Sequence, residues 1–380
     1  WQYAFDQRAS DIHIEPRREF GIVRFRIDGV LHQVHQLPMS VVTAMTSRIK
    51  LLGRMDLMEK RRPQDGRVKT RTEDGLEIEL RLSTLPTAFG EKLVMRIFDP
   101  EVLVRDFSEL GFSDDDRARW QHMTTQPNGI ILVTGPTGSG KTTTLYSTLK
   151  SLATPEVNVC TLEDPIEMVE PSFNQMQVQQ GIDLSFADGV RALMRQDPDI
   201  IMVGEIRDLE TADMAIQAAL TGHLVLSTLH TNDAPSAVTR LLDLGVPSYL
   251  LNATLLGIMA QRLVRTLCPH CKQPHSMNES DNELWDNLVS PWKAARPSQL
   301  HKPQGCLECR MTGYSGRIGI YEILLMSPEL RKLINAETDI GKLRDLASRE
   351  GMKPLRISGA QKVASGLTTL EEVLKTSPPS

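Results

Sequence analysis

Eight residues, Gly135-Pro136-Thr137-Gly138-Ser139-Gly140-Lys141-Thr142, restrict what the rest of this chain can fold into. They follow the apolar run Gly129-Ile130-Ile131-Leu132-Val133, which suits a buried strand. They precede Thr143 to Leu152, where Leu145, Leu149 and Leu152 recur at helical spacing. Strand, glycine-rich turn and helix are the context a phosphate-binding loop requires. The glycines let backbone N–H groups converge on phosphate oxygens with no Cβ in the way, and the start of the following helix adds a positive field. In such a loop Lys141 reaches the β- and γ-phosphates and the Thr142 hydroxyl ligates Mg²⁺. The stretch from Gly135 through Thr143 is therefore the candidate ATP-binding loop.

A chain of 380 residues exceeds one typical core, so two or three domains are expected. A net charge of −5 and 5% aromatic residues disfavour a nucleic-acid groove. The densest basic cluster, Lys60-Arg61-Arg62, is too short for a binding tract. There is no apolar run of about 18 residues, so no membrane span is expected. Nor does a basic, apolar leader open the chain, so secretion is not indicated. Trp1 to Ser10 reads as the middle of a helix, which suggests a piece cut from a longer sequence.

Residues 1–100 read as a small α/β domain. Val23, Phe25 and Ile27 alternate with Arg24 and Arg26, Asp28-Gly29 makes a turn, and Val41 to Leu52 has helical spacing. Leu76, Ile78, Leu80 and Leu82 form a strand's buried face, and Leu93 to Phe98 is a further strand carrying Arg96. Asp11, His13 and Glu15 share one strand face. A metal triad there is the weaker reading, and a solvated or interface-facing edge the stronger. Pro100 to Gly111 reads as a linker, set at 101–111.

Residues 112–267 hold apolar strands at Ile130–Val133, Val157–Thr161, Ile200–Val203 and Leu224–Ser227 with helical patterns between them. That alternation implies a parallel sheet wrapped by helices. Residues 268–312 hold cysteines around a polar insert. Residues 313–380 are expected to be mostly helical, with a capping box at Thr369 and Glu372 and a disordered end from Thr376 to Ser380.

A phosphate loop needs carboxylates at neighbouring strand ends. Asp199-Ile200-Ile201-Met202-Val203-Gly204-Glu205 places Glu205 in the Walker-B position. Thr161-Leu162-Glu163-Asp164-Pro165-Ile166-Glu167 ends another strand, and Glu163 is the candidate to orient or deprotonate the attacking water. After the strand at Leu224, His230 is a candidate γ-phosphate sensor, and His223 is a weaker one. Ser185 to Gln196 reads as a capped helix with Arg191 and Arg195, four apart, on one face. That face is either solvated or directed at phosphate or an interface.

Cys268-Pro-His-Cys271 and Cys306-Leu-Glu-Cys309 enclose 34 residues. Two such pairs make a tetrahedral four-sulfur site, which selects Zn²⁺ and leaves no open position, so its role is structural. His270 lies between ligands and is not counted as one. Cys160, in a strand, reads as a buried inert thiol.

Together, GPTGSGKT, TLEDPIE, RQDPDIIMVGEIRD, TGHLVLSTLHTN and QRLVRTLCPHC resemble the type II/type IV secretion ATPase superfamily over nearly the whole chain. The four-cysteine module is similar to that of the type II secretion and pilus assembly ATPases and unlike the retraction ATPase. The resemblance implies a RecA-like core, an N-terminal α+β (PAS-like) domain and a helical C-terminal region. It implies a cytoplasmic homo-hexamer, peripheral at the inner membrane, hydrolysing ATP to work on a membrane platform with a tethering partner. Type II secretion is the first expectation and pilus extension the alternative. The resemblance implies that nucleotide-reaching arginines of the N-terminal domain fall on Arg81 and Arg96, and that nucleotide-binding arginines near the subunit interface fall on Arg191 and Arg195. Its acidic-box, Walker-B and histidine-box positions fall on Glu163, Glu205 and His230. The family's foremost tethering domain has no counterpart before Trp1, so weak platform binding and incomplete assembly are expected. The rival classes are a recombinase- or helicase-like ATPase, which DNA would stimulate, and a P-loop kinase, which would need an acceptor.

Overall fold

The computed structural model describes residues 1–98 and 104–378. The chain forms two compact units, Trp1–Val102 and Leu103–Ser380.

The first unit runs α1 (Gln2–Asp6), β1 (Asp11–Pro16), β2 (Phe20–Ile27), β3 (Val30–Pro38), α2 (Met39–Leu52), β4 (Gln64–Arg71), β5 (Glu77–Thr87) and β6 (Gly90–Phe98). Its six strands form one antiparallel sheet in the order β3-β2-β1-β6-β5-β4. Alternation puts Val23, Phe25, Ile27, Ile78, Leu80, Leu82, Leu93 and Met95 in one core, which α2 covers with Val42 and Ile49. The face with Asp11, His13 and Glu15 is neither a metal triad nor a solvated edge. These residues are buried on an interior strand. Glu15 accepts from Arg17 (3.0 Å) and Arg24 (2.8 Å) and pairs with Lys92 (3.2 Å). Burial alone would raise its pKa, but the Arg24 and Lys92 hydrogen bonds win and hold it at about 2. Long cationic side chains cover this face instead of water.

The second unit runs α3 (Asp114–Thr124), β7 (Gly129–Thr134), α4 (Lys141–Leu152), β8 (Val159–Glu163), β9 (Asn174–Gln177), α5 (Phe186–Leu193), β10 (Ile200–Val203), α6 (Leu209–Leu220), β11 (Leu224–Leu229), α7 (Ala234–Asp243), α8 (Ser248–Thr254) and β12 (Leu255–Leu267). It continues with β13 (Gln273–His275), α9 (Glu279–Val289), β14 (Leu300–Lys302), β15 (Tyr314–Leu325), α10 (Pro328–Leu333), α11 (Ile340–Arg349), α12 (Leu355–Ala364) and α13 (Leu370–Thr376). Seven strands form one sheet in the order β15-β12-β7-β11-β10-β8-β9. Ile130 and Leu132 of β7 point into one core cluster, with α5, α6, α7 and the C-terminal helices. Ile131 and Val133 point into the other, with Trp120 and Met123 of α3 and Leu145, Tyr146 and Leu149 of α4. A sheet covered on both faces accounts for the continuous apolar runs of its strands.

Five expectations are corrected. The sheet is mixed, because β15 runs antiparallel to β12. Residues 314–325, expected to be helical, are that strand. The four-cysteine segment is thus an excursion between two paired strands. The described part of the expected linker, 104–111, is docked on the core. The Arg105 N–H donates to Ser147 Oγ (2.9 Å), and the Leu110 carbonyl accepts from the Tyr321 hydroxyl (2.6 Å). At Thr369 only half a capping box forms. Its hydroxyl accepts from the Glu372 N–H (3.3 Å), but the Glu372 carboxylate turns to Arg265. The expected disorder from Thr376 fails at its start, since Thr376 ends α13 and Ser377 is buried. Pro379 and Ser380 lie outside the described residues, as do Asp99 and residues 100–103 of the linker region. Among the described residues no helix is long and apolar enough to cross a membrane.

Candidate functional site

The candidate loop joins β7 to α4, beside the carboxyl ends of β11 and β10, where ligands bind in open α/β sheets. Its shape demands glycine. Gly135 has φ +154°, and a Cβ there would meet the Gln261 carbonyl at 2.6 Å. Gly140 has φ +86°, and a Cβ there would meet Gln261 Nε2 at 2.7 Å. At Gly138, by contrast, a Cβ would meet nothing within 4 Å, so the outer side of the loop is open to a ligand. Lys141 folds over the loop, donating to the carbonyls of Gly135 (2.7 Å) and Pro136 (3.0 Å). Burial is the main cause that pulls its pKa down to about 8. Nearby Arg262 adds to the shift and Glu205 opposes it. The Ser139 hydroxyl is buried in the same loop without a hydrogen-bond partner among the described residues.

Glu205 follows β10 and remains partly open. Its carboxylate pairs with Arg207 and lies 3.5 Å from His230 Nε2. The structure thus brings Lys141, Glu205 and His230 together at one end of the sheet. Thr142 stands in the first turn of α4.

Glu163 is placed differently. The residue is 3% exposed, and its carboxylate accepts three hydrogen bonds: from Tyr146 (2.5 Å), Thr161 (2.8 Å) and Gln175 (3.3 Å). Burial, and then the Glu163 charge, push the Tyr146 phenol well above its usual pKa, so it remains a donor. Asp164, the next residue, is the exposed acid, and its charge reaches Arg207. Arg191 pairs with Asp188 (2.7 Å) and Glu210 (3.9 Å), while Arg195 donates to the Arg191 carbonyl (2.9 Å). Those contacts hold them to α5 and α6, not to the loop. His223 Nδ1 is spent on the Ala218 carbonyl (2.8 Å), a structural role. Cys160 is buried in β8, and burial raises its pKa.

In the first unit, Arg96 sits opposite Arg81 across β6 and β5, and Arg81 sits opposite Arg67 across β5 and β4. The three line a cleft of about 580 Å³. Asp11 holds Arg96 at 3.1 Å, and the Arg81 guanidinium stands 4.0 Å over the Phe98 ring. The arginines lie opposite one another in register as a cationic row, which Glu79 answers at 3.4 Å from Arg81 and 4.0 Å from Arg67.

The sulfurs of Cys268, Cys271, Cys306 and Cys309 all lie within 4.8 Å of one another. Cys271 Sγ accepts the Gly305 N–H (3.3 Å), and Cys309 Sγ accepts those of Cys306 (3.2 Å) and Gly313 (3.2 Å). Backbone donors aimed at sulfur suit thiolates, so the cluster fits a tetrahedral thiophilic metal. His270 is exposed and outside the cluster.

A family profile described as "Type II/IV secretion system protein" matches residues 1–375. The chain belongs to this family. It is 63% identical over 377 residues to the type IV pilus assembly ATPase TfpB of Acinetobacter baylyi, covering 99% of this chain and 64% of that protein. It is 47% identical over 372 residues to the type II secretion system protein E of Pseudomonas aeruginosa, covering 98% of this chain and 73% of that protein. The chain therefore spans about two-thirds of the length of these relatives. Among solved structures it is similar to the pilus retraction motor PilT with bound ADP, at 28% identity and a TM-score of 0.66, covering 99% of this chain and 95% of that one. The Legionella pneumophila ATPase DotB shares the fold, with a TM-score of 0.71 at 22% identity, over 98% of this chain and 92% of that one.

In this secretion-family chain, sequence reasoning passed over Tyr146, Gln175, Arg207, Gln261 and Arg262. Arg207 had a visible signal, standing two residues past Glu205. The others are revealed only by contacts distant in sequence.

Proposed function

We propose that this chain is the ATP-hydrolysing part of a motor that assembles a pilin-type filament. The observation that carries it is the convergence of Lys141, Glu205 and His230 on the glycine loop. Lys141 exchanges the carbonyls of Gly135 and Pro136 for phosphate oxygens, which the open side at Gly138 admits. Thr142 and Glu205 are the residues that would hold Mg²⁺, an ion that withdraws charge from the β- and γ-phosphates. We assign the water-orienting role to Glu205, because Glu163 is occupied by three donors. Glu163 serves instead to fix Tyr146 and the end of β8. His230 senses the terminal phosphate beside Glu205. Arg81 and Arg96 neutralise transition-state charge, and Arg191 and Arg195 serve the junction between subunits of a homo-hexamer. Cys268, Cys271, Cys306 and Cys309 hold structural Zn²⁺.

Of the two secretion-family relatives compared, the pilus assembly ATPase is the more similar, at 63% against 47%. That favours pilus extension over type II secretion as the machine served. A cytoplasmic place at an inner-membrane platform, with a tethering partner, belongs to the same reading.

Glu205→Gln tests the chemistry. It is expected to keep ATP affinity while phosphate release falls by about 10²-fold or more, the scale of a lost general base. Glu163→Gln is expected to cost stability before turnover. Normal hydrolysis by Glu205→Gln would overturn the assignment. In cells, the same substitution in the full-length protein should abolish surface pili. Loss of protein export with pili intact would favour the secretion alternative.

A further inference from the structure

Strand β12 runs alongside β7 with Ala260 opposite Thr134, so its next two residues, Gln261 and Arg262, lie beside the root of the phosphate loop. Gln261 is buried, its amide oxygen accepting from the Thr144 hydroxyl of α4 (2.8 Å). The Arg262 guanidinium lies against the other end of the loop, with Nη1 3.2 Å from where a Gly135 Cβ would be. Arg262 is only 6% exposed, yet among the described residues its two hydrogen bonds go to backbone carbonyls. Nη1 donates to Gln261 O (2.9 Å) and Nη2 to Asn232 O (2.7 Å). Glu322 and Asp233 act on it from a distance, and among the described residues neither forms an ion pair with it. A buried guanidinium without a carboxylate partner is costly to fold around. A simple strand filler would not need one.

What the charge touches suggests its use. Asn232 lies two residues beyond His230 in the segment that leaves β11. That segment is also tied to the loop's root by the Thr134 and Thr231 hydroxyls, 2.7 Å apart, and by the Thr231 N–H to Thr134 Oγ1 (2.8 Å). Thr134 thus ties the residues that follow His230 to the loop's root, and Arg262, seated against Gly135, ties them to β12 beside it. Both ties fix the backbone that follows His230, whose ring lies 3.5 Å from the Glu205 carboxylate.

We propose that Arg262 is a positioning residue for recognition of the terminal phosphate. It locks the His230–Asn232 segment to the base of the phosphate loop, so that the site distinguishes a nucleoside triphosphate from a diphosphate. The inference rests on the nucleotide reading above. A lysine keeps the charge but lacks the planar fork that serves two carbonyls at once.

The test is calorimetric titration of the whole chain with ADP and with ATPγS, both with Mg²⁺, for wild type, Arg262→Ala and Arg262→Lys. In both variants ADP affinity should stay within about threefold of wild type, while the preference for ATPγS over ADP falls by about tenfold. Should Arg262→Ala fail to fold, Arg262→Lys is judged by the same ratio. An Arg262→Lys protein with the wild-type ratio would overturn the lock and leave a role for charge alone. Equal weakening of both nucleotides would overturn it in favour of a role confined to loop shape. A wild-type chain that binds both nucleotides equally would overturn it while nucleotide binding stands. A wild-type chain that binds neither would overturn the nucleotide reading and the lock with it.

Discussion

Around the phosphate loop, the chain itself supplies the shape. Gly135 and Gly140 fit against Gln261, Thr144 ties α4 to β12, and Ile131, Leu132 and Val133 lie fully buried beneath. Around the four cysteines, the local core is sulfur and little else: Cys268, Cys271 and Cys309 are buried with Cys306 against them. The neighbouring apolar side chains there point outward, Leu307 at 89% exposure and Met311 at 66%. One corner is made ready for its guest, and the other has almost nothing but the guest to hold it. The two should respond oppositely when the guest, or the residue that greets it, is removed.

The largest effect is expected at the cysteines. Structural zinc sites bind with roughly 10–16 kcal/mol of apparent free energy, and around the site proposed for zinc there is little apolar burial to replace it. Chelation, or Cys309→Ser, should therefore remove hydrogen-exchange protection from residues 268–275 and 305–313. Helix α9 should survive, because Trp285, Leu288 and Val289 belong to the large core of the second unit. Protection that persists around the cysteines after the metal is gone would break the contrast.

Lys141→Ala examines the other corner. On the proposed reading a charged hydrogen bond to phosphate is lost, so nucleotide affinity should fall by about 100-fold, or about 2.7 kcal/mol. Thermal stability should hold or rise slightly. Among the described residues the ammonium bonds only loop carbonyls, and its low pKa marks a charge that burial disfavours. A clear drop in melting temperature with unliganded protein would mean that the lysine builds the loop and the corner is not ready-made.

These two corners were also the most legible parts of the sequence, for a common reason. Glycine spacing and cysteine spacing are local signals, each tied to one geometry. Strands β7, β10 and β11 were legible because both faces are apolar. Strand β12 was hidden because Gln261, Arg262 and Arg265 interrupt its apolar pattern although Gln261 and Arg262 are buried. Their partners are far away: Thr144 for Gln261, Asn232 for Arg262, and Glu372 and the Tyr314 ring for Arg265. Strand β15 was hidden in the same way by Arg317 and Glu322. The place of Glu163 was illegible because nothing around Thr161 announces that Tyr146 and Gln175 will close over it. Buried polar residues are readable only with their partners, and hydropathy along one segment does not contain them.

Glu322 gives the smallest expected effect and sharpens the comparison at a point between the two corners. It sits on β15, the strand that leaves the cysteine segment, opposite Ala260 of β12. Fully buried, it accepts the N–H of Ala234 at the start of α7 (2.8 Å) and of Leu355 at the start of α12 (3.4 Å). Burial is the leading cause that raises its pKa to about 7, and Asp233 adds to it. The Ala234 hydrogen bond and the charge of Arg344 oppose the shift. A folded pKa above the unfolded value means that the native state holds the proton longer. The contribution to stability is full below about pH 4.5 and is lost as pH rises through about 7. Between pH 6 and pH 8 the wild type should lose roughly 1.4 kcal/mol relative to Glu322→Gln, whose amide does not titrate. Urea unfolding of both proteins, followed by tryptophan fluorescence at the two pH values, measures that difference. Parallel curves would mean that Glu322 is ionised throughout, with the two helix N-termini sufficing to hold a buried charge. In that case the ready-made shape of the phosphate corner would depend on a fixed anion beneath it, not on packing alone.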